Sequence, residues 1–141
     1  MTSDEKTSLD QIVAGDEVAH RPHNGFYAKV LRRAQVQRVT GTWIILDEFT
    51  KFRKDSGREV GKDFYRRDDI YPLGATTEEW RDGEKVKITY AQLIELEQAK
   101  EKESRRRNDL ADFIRNCLGR GVKASITTEQ LEQAAKLLGY E

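Results

Sequence analysis

The sequence predicts an α+β chain, with a small β-barrel in front and a helical region behind. Three observations predict it. Five strand-like segments follow one another at short spacing before residue 73, with no helical period between them. Glycines stand at the corners of those segments. Beyond residue 76, Thr-x-x-Glu/Gln patterns precede apolar residues at helical spacing, as at helix starts.

Gly15-Asp16 opens the first strand, Glu17 to Arg21, in which Val18 and His20 share a face. Arg21-Pro22-His23-Asn24-Gly25 is turn chemistry, because proline fixes φ and Asn-Gly tolerates positive φ. A long strand-like stretch follows from Phe26 to Thr40 and ends at Thr40-Gly41-Thr42. Trp43-Ile44-Ile45-Leu46 is the strongest core-strand segment. Phe49 to Lys54 and Arg58 to Val60 flank Asp55-Ser56-Gly57, a hairpin signal. Ile70, Tyr71 and Leu73 close the set, and Pro72 stops further pairing. The expectation is an SH3-like five-stranded barrel over residues 12–73.

Residues 76–141 read as helical. Thr76-Thr77-Glu78-Glu79-Trp80 has the capping-box pattern, cut short by Asp82-Gly83. Thr89-Tyr90-Ala91-Gln92 repeats it ahead of a long helix over about 90–118, with a restart at Asn108-Asp109 as an alternative. Thr127 with Gln130 caps a final helix over about 127–139, Ile126 packs on Leu131, and Gly139 supplies the stop. Leu110, Phe113, Ile114, Cys117 and Leu118 form one apolar stripe, and Leu131, Ala134, Ala135 and Leu138 another. Residues 108–141 therefore read as an antiparallel helical hairpin, with Gly119-Arg120-Gly121 ending its first helix. A homodimer through these helices is one way to cover a stripe this small.

Two stretches of the front half resemble known proteins. Gly15-Asp16-x-Val18, followed by Asn24-Gly25-x-x-x-x-Val30, is similar to the opening of SH3-like barrels of the KOW and Tudor kinds. Val39-Thr40 through Lys51-Phe52-Arg53-Lys54-Asp55-Ser56-Gly57-Arg58-Glu59-Val60-Gly61 resembles a recurrent segment of uncharacterised small bacteriophage and prophage β-barrel proteins. The resemblance covers about half the chain and ends near residue 75. It implies a β-barrel and a phage or prophage origin, and it implies no reaction.

Catalytic motifs are missing from the sequence. It holds no Gly-x-Ser-x-Gly, no P-loop, no His-Glu-x-x-His and no dinucleotide fingerprint. Cys117 sits on an apolar stripe and reads as a buried structural thiol. His20 and His23 flank a proline turn without the further ligands a zinc site needs. Asp68 and Asp69 are adjacent, so a strand points them to opposite faces. The expectation is a protein that is not an enzyme and needs no cofactor or metal. No apolar run reaches membrane-spanning length, the start Met1 to Lys6 has no leader pattern, and one cysteine suits a reducing compartment. A cytoplasmic location follows as an expectation, the host cell's cytoplasm if the chain is phage-encoded.

Charge supplies the functional candidate. The chain carries 25 basic and 25 acidic residues. Residues 1–19 nevertheless have a net charge of −4, while residues 20–67 set twelve basic side chains against five acidic ones, a net of +7. Arg32, Arg33, Lys51, Arg53, Lys54, Arg58, Arg66 and Arg67 lie on or beside expected strands, where alternate members could follow a phosphate backbone. Tyr27 and Tyr65 neighbour them as candidate stacking platforms, while Phe26 and Phe64 read as core. Arg105-Arg106-Arg107 follows Glu101 and Glu103 and reads as an ion-paired helix face. Tyr27, Trp43, Phe49 and Tyr65 could instead line a groove for an extended protein segment.

The sequence thus points to a non-enzymatic accessory protein of phage type. It would bind, and in the phage version inhibit, a host protein or nucleoprotein complex of defence or transcription through its basic barrel face. Direct binding of RNA or single-stranded DNA is the first alternative, and a structural, self-assembling phage protein the second.

Overall fold

The computed structural model describes residues 1–24, 27–47, 50–61, 67–118 and 126–139. The sequence readings at Phe26, Phe49, Phe64, Tyr65, Arg66 and residues 119–121 lie outside the described residues, as does the side chain of Cys117. Contacts divide the chain into two units, Met1–Gln98 and Ala99–Glu141. No helix among the described residues is long and apolar enough to cross a membrane.

The first unit is mainly β. Its strands are β1 (Glu17–Arg21), β2 (His23–Asn24), β3 (Tyr27–Ala28), β4 (Arg32–Gln35), β5 (Arg38–Val39), β6 (Trp43–Ile45), β7 (Lys51–Arg53), β8 (Asp69–Tyr71), β9 (Thr76–Arg81) and β10 (Glu84–Thr89). They form four antiparallel sheets in the orders β4-β1-β8, β5-β6-β7, β2-β3 and β9-β10. A closed sheet is not among the described ladders, so the expected barrel appears as separate small sheets.

The stretch from Phe26 to Thr40, read as one strand, is divided. Tyr27–Ala28 pairs with β2, Arg32–Gln35 with β1 and Arg38–Val39 with β6. A run that serves three partners in succession has to bend between them. Beyond β7, the segment through Glu59 joins by two isolated bridges, Phe52 to Glu59 and Arg58 to Asp69.

β1 is buried on both faces. Val18 enters a core with Ile12, Val36, Ile44, Leu46, Phe52 and Ile70, so both three-stranded sheets supply the same core. Ala19, on the other face, enters a second core with Leu31, Leu73, Ile88, Leu93 and Ile94. The residues before β1 are tied in as well. Two 3-10 turns, Ser3–Glu5 and Leu9–Gln11, carry reciprocal capping boxes. Lys6 is buried and pairs with Asp16, and its carbonyl accepts from Gly74 N at 2.9 Å.

One expected helix start is overturned. Thr76–Arg81 is strand β9, paired along its length with β10. The deciding residues are Asp82 and Gly83, with φ of 51° and 81°. Positive φ at both central residues is the two-residue turn whose twist matches a hairpin. The Thr-x-x-Glu pattern therefore falls on a strand, where its side chains alternate between faces.

α1 runs from Tyr90 to Leu118 without a break at Asn108-Asp109. Thr89 Oγ1 accepts from Gln92 N at 3.2 Å, and Gln92 Oε1 accepts from Thr89 N at 3.0 Å. In the second unit, α2 (Thr128–Leu137) starts on the same reciprocal cap from Thr127 and Gln130. Leu110 and Ile114 of α1 form a core with Leu131 and Ala135 of α2, and Phe113, Ile126 and Ala134 pack on it. Arg105 and Arg106 pair with Glu101 and Glu132, and Arg107 Nη1 donates to the Ile126 carbonyl.

Candidate functional site

The register of β5, β6 and β7 sorts their residues onto two faces. Val39, Ile44 and Phe52 stand in one row, facing the first core. Arg38, Ile45 and Lys51 form the neighbouring row on the opposite face, and Trp43 stands beside Arg53. Backbone bonds from Arg53 N to Arg58 O (3.0 Å) and from Val60 N to Lys51 O (2.8 Å) add Arg58 and Val60 to this second face. The outer face therefore gathers Arg38, Trp43, Lys51, Arg53 and Arg58. Trp43 is 37% exposed, and Lys51 Nζ lies 4.9 Å from its ring centroid, a cation–π contact.

Acidic side chains offset part of this charge. Arg53 pairs with Asp55 at 3.0 Å, both well exposed. Arg38, Lys51 and Arg58 form no ion pair among the described residues.

The other candidates are dispersed. Arg32 and Arg33 are consecutive on β4 and point to opposite faces. Arg33 Nη1 and Nη2 donate to Asp4 at 2.9 and 3.0 Å, and Nη1 also reaches Glu17 at 3.1 Å. These bonds raise the Arg33 pKa and hold the Asp4 carboxyl below its usual range. Arg33 is thus neutralised in place by the acidic N-terminal segment. Lys54 is half-buried and donates its backbone N–H to Thr42 O at 3.0 Å. Arg67 is half-buried beside Asp68 in sequence, with interactions of its own. Tyr27 is 80% exposed on β3. Tyr65 and Arg66 lie outside the described residues.

Sequence reasoning missed a polar cluster at His20. The ring is 4% exposed, and its edge meets Phe52 with centroids 5.7 Å apart at 77°. His20 Nε2 lies 2.8 Å from Asp68 Oδ2, and Arg32 Nε donates to His20 Nδ1 at 3.2 Å. Asp68 Oδ1 accepts from His23 N at 2.9 Å, and Glu59 Oε2 accepts from Asp68 N at 3.0 Å. Burial lowers the His20 pKa, against the opposing pull of Asp68. A carboxylate beside an imidazole is half of a proton-transfer device, but the second nitrogen of this ring is already filled by Arg32. Both nitrogens of the His20 ring therefore have hydrogen-bond partners. The available signal was its place in β1, two residues from Val18 on a core-facing row.

A shallow cleft of about 320 Å³ is lined by Arg81, Ile88, Gln92, Glu95 and Leu96, between the β9–β10 hairpin and the start of α1. Among the described residues, no three His, Cys, Asp or Glu side chains are grouped as a metal ion requires. No protein-family model, curated protein or solved structure matches this chain.

Proposed function

We propose that this protein is a non-enzymatic binding module that engages single-stranded nucleic acid, free or within a host nucleoprotein complex, through the outer face of β5–β6–β7. The supporting observation is Trp43, part-exposed under Lys51 and flanked in register by Arg53, with Arg38 and Arg58 on the same face. An aromatic face offers stacking to any base, and the cations beside it suit the backbone phosphates. An SH3-like arrangement of the first unit belongs to the same reading. It is supported by the core common to both three-stranded sheets and by the bridges Phe52–Glu59 and Arg58–Asp69 between β7 and β8.

The test is fluorescence anisotropy with labelled oligo-dT and oligo-U. With three phosphate contacts, affinity should fall roughly 20-fold between about 50 and about 200 mM salt. Trp43→Ala should weaken binding by about 1–3 kcal/mol. Equal affinity for Trp43→Ala and wild type would remove this reading.

Docking onto a protein of a host complex, with phage-type inhibition as its consequence, is the second reading. The observation favouring it is the β9–β10 hairpin, on which Trp80 is 66% exposed with Lys85 Nζ 5.5 Å from its ring centroid. Capture of a host protein that survives nuclease and is lost in Trp80→Ala would support it.

A further inference from the structure

Arg32 differs from the arginines of the first unit that make ion pairs. Arg21, Arg33 and Arg53 commit their terminal nitrogens to Glu97, Asp4 and Asp55. Arg32 is held by Nε alone, on a buried ring that is its cross-strand partner. Its side chain is exposed, and its two Nη groups meet no carboxylate among the described residues. The guanidinium is planar, so fixing Nε fixes the plane in which Nη1 and Nη2 point.

The bond also fixes the ring. Nδ1 accepts from Arg32, so the single proton of the neutral imidazole is on Nε2 and is donated to Asp68. A second proton has only Nδ1 to occupy. There it would set N–H against N–H and cation against cation. The charged groups facing His20 are Arg32 from β4, Asp68 from the segment before β8 and Glu59 from the segment after β7. Both carboxylates would retain an imidazolium, and Arg32 alone would be expelled.

We propose that Arg32 is a preset receptor for a phosphate group, that His20 is its positioning residue, and that protonation of His20 releases the grip. Two phosphate oxygens would accept from Nη1 and Nη2 in the guanidinium plane. With no carboxylate on Nη1 or Nη2 among the described residues, the guanidinium attracts a multiply charged oxyanion more strongly than a singly charged carboxylate. This site is separate from the Trp43 face and does not depend on it.

The experiment is nitrogen-15 NMR on the full chain, following Arg32 Nε–Hε and the His20 ring nitrogens from about pH 8 to about pH 5. Inorganic phosphate and acetate are the probes at neutral pH. Sulfate is the probe in the pH series, because its own charge stays constant there. The expected result is a slowly exchanging Arg32 Nε–Hε signal that phosphate shifts and acetate does not. The signal and the sulfate response should both vanish as the His20 ring titrates. Arg32→Lys keeps the charge but has no Nε, so it should lose the phosphate response in a folded protein. An Arg32 response that persists below the His20 titration, or an equal response in Arg32→Lys, would overturn the proposal. Loss of oligonucleotide binding with this response intact would remove the Trp43 reading alone.

Discussion

Arg21 and Glu97 meet side by side, Nη1 on Oε1 at 2.6 Å and Nη2 on Oε2 at 2.7 Å, and so join β1 to the first turns of α1. Glu97 Oε1 also accepts from Leu31 N at 3.3 Å. The two-pronged geometry raises the Arg21 pKa. Tyr71 of β8 and Tyr90, the first residue of α1, stack with centroids 4.3 Å apart.

Breaking that fork should destabilise the first unit. Both partners are about one-fifth exposed, so the expected cost of Glu97→Ala is about 1.5–3 kcal/mol, the range for hydrogen bonds to charged groups. Arg21→Lys keeps the charge but loses the second prong and should recover only part of it. Urea unfolding curves measure both variants, and a Glu97→Ala midpoint equal to wild type would contradict the assignment.

Acid should weaken the fold through His20. Burial depresses its folded-state pKa, so the unfolded chain binds this proton more readily than the native one. Stability is then complete above the unfolded value of about 6.5 and falls as pH drops through the folded value. The check is the urea midpoint across about pH 8 to about pH 5 for wild type and His20→Asn. The variant should show the shallower dependence, and identical slopes would argue against a buried neutral ring.

Gly57 should tolerate no side chain. Its φ is +69°, and an added Cβ would collide with the Ile70 carbonyl oxygen. That carbonyl belongs to the residue whose N–H reaches Gly57 O at 2.7 Å, so relief would disturb the pairing beside β8. Gly57→Ala should cost more than about 2 kcal/mol. Gly83→Ala has similar φ but open space around it, so it should cost about 1 kcal/mol. Reversal of that order in thermal melts would contradict the packing described.

Arg33 and Arg58 should separate in binding assays. Arg33 is neutralised by Asp4 and Glu17, whereas Arg58 has no ion pair among the described residues. Arg58→Ala should weaken oligonucleotide binding and reduce the salt slope by about 0.7, as expected for one phosphate contact on a single strand. Arg33→Ala should leave that slope unchanged and lower stability by about 1 kcal/mol or less. Equal slopes for the two variants would show that the sheet does not sort its cations as proposed.

Elements with a strong local signature were legible in the sequence. β1 matched because a turn at Gly15-Asp16 precedes it and apolar residues fill both its faces. α1 and α2 matched because Thr89-Gln92 and Thr127-Gln130 form reciprocal caps in either reading. The hairpin at Thr76 was misread because Thr-Thr-Glu-Glu satisfies a cap on paper, while the left-handed Asp82-Gly83 pair decides the backbone. The candidate binding residues stand in the sequence as a list of cations, without the surface they form. Charge along the chain does not record which arginine a distant carboxylate reaches, and Asp4 lies 29 positions from Arg33. The His20 cluster was hidden for the same reason, since Asp68 is 48 positions away.

The burial of Lys6 gives the protein a built-in reporter. Its ammonium is enclosed beside Asp16 while lysines such as Lys85 stand in solvent. Acylating reagents should therefore modify Lys6 after the other described lysines, at a pace set by detachment of the leading segment. Mass-spectrometric footprinting at that one amine would time how often the segment lets go.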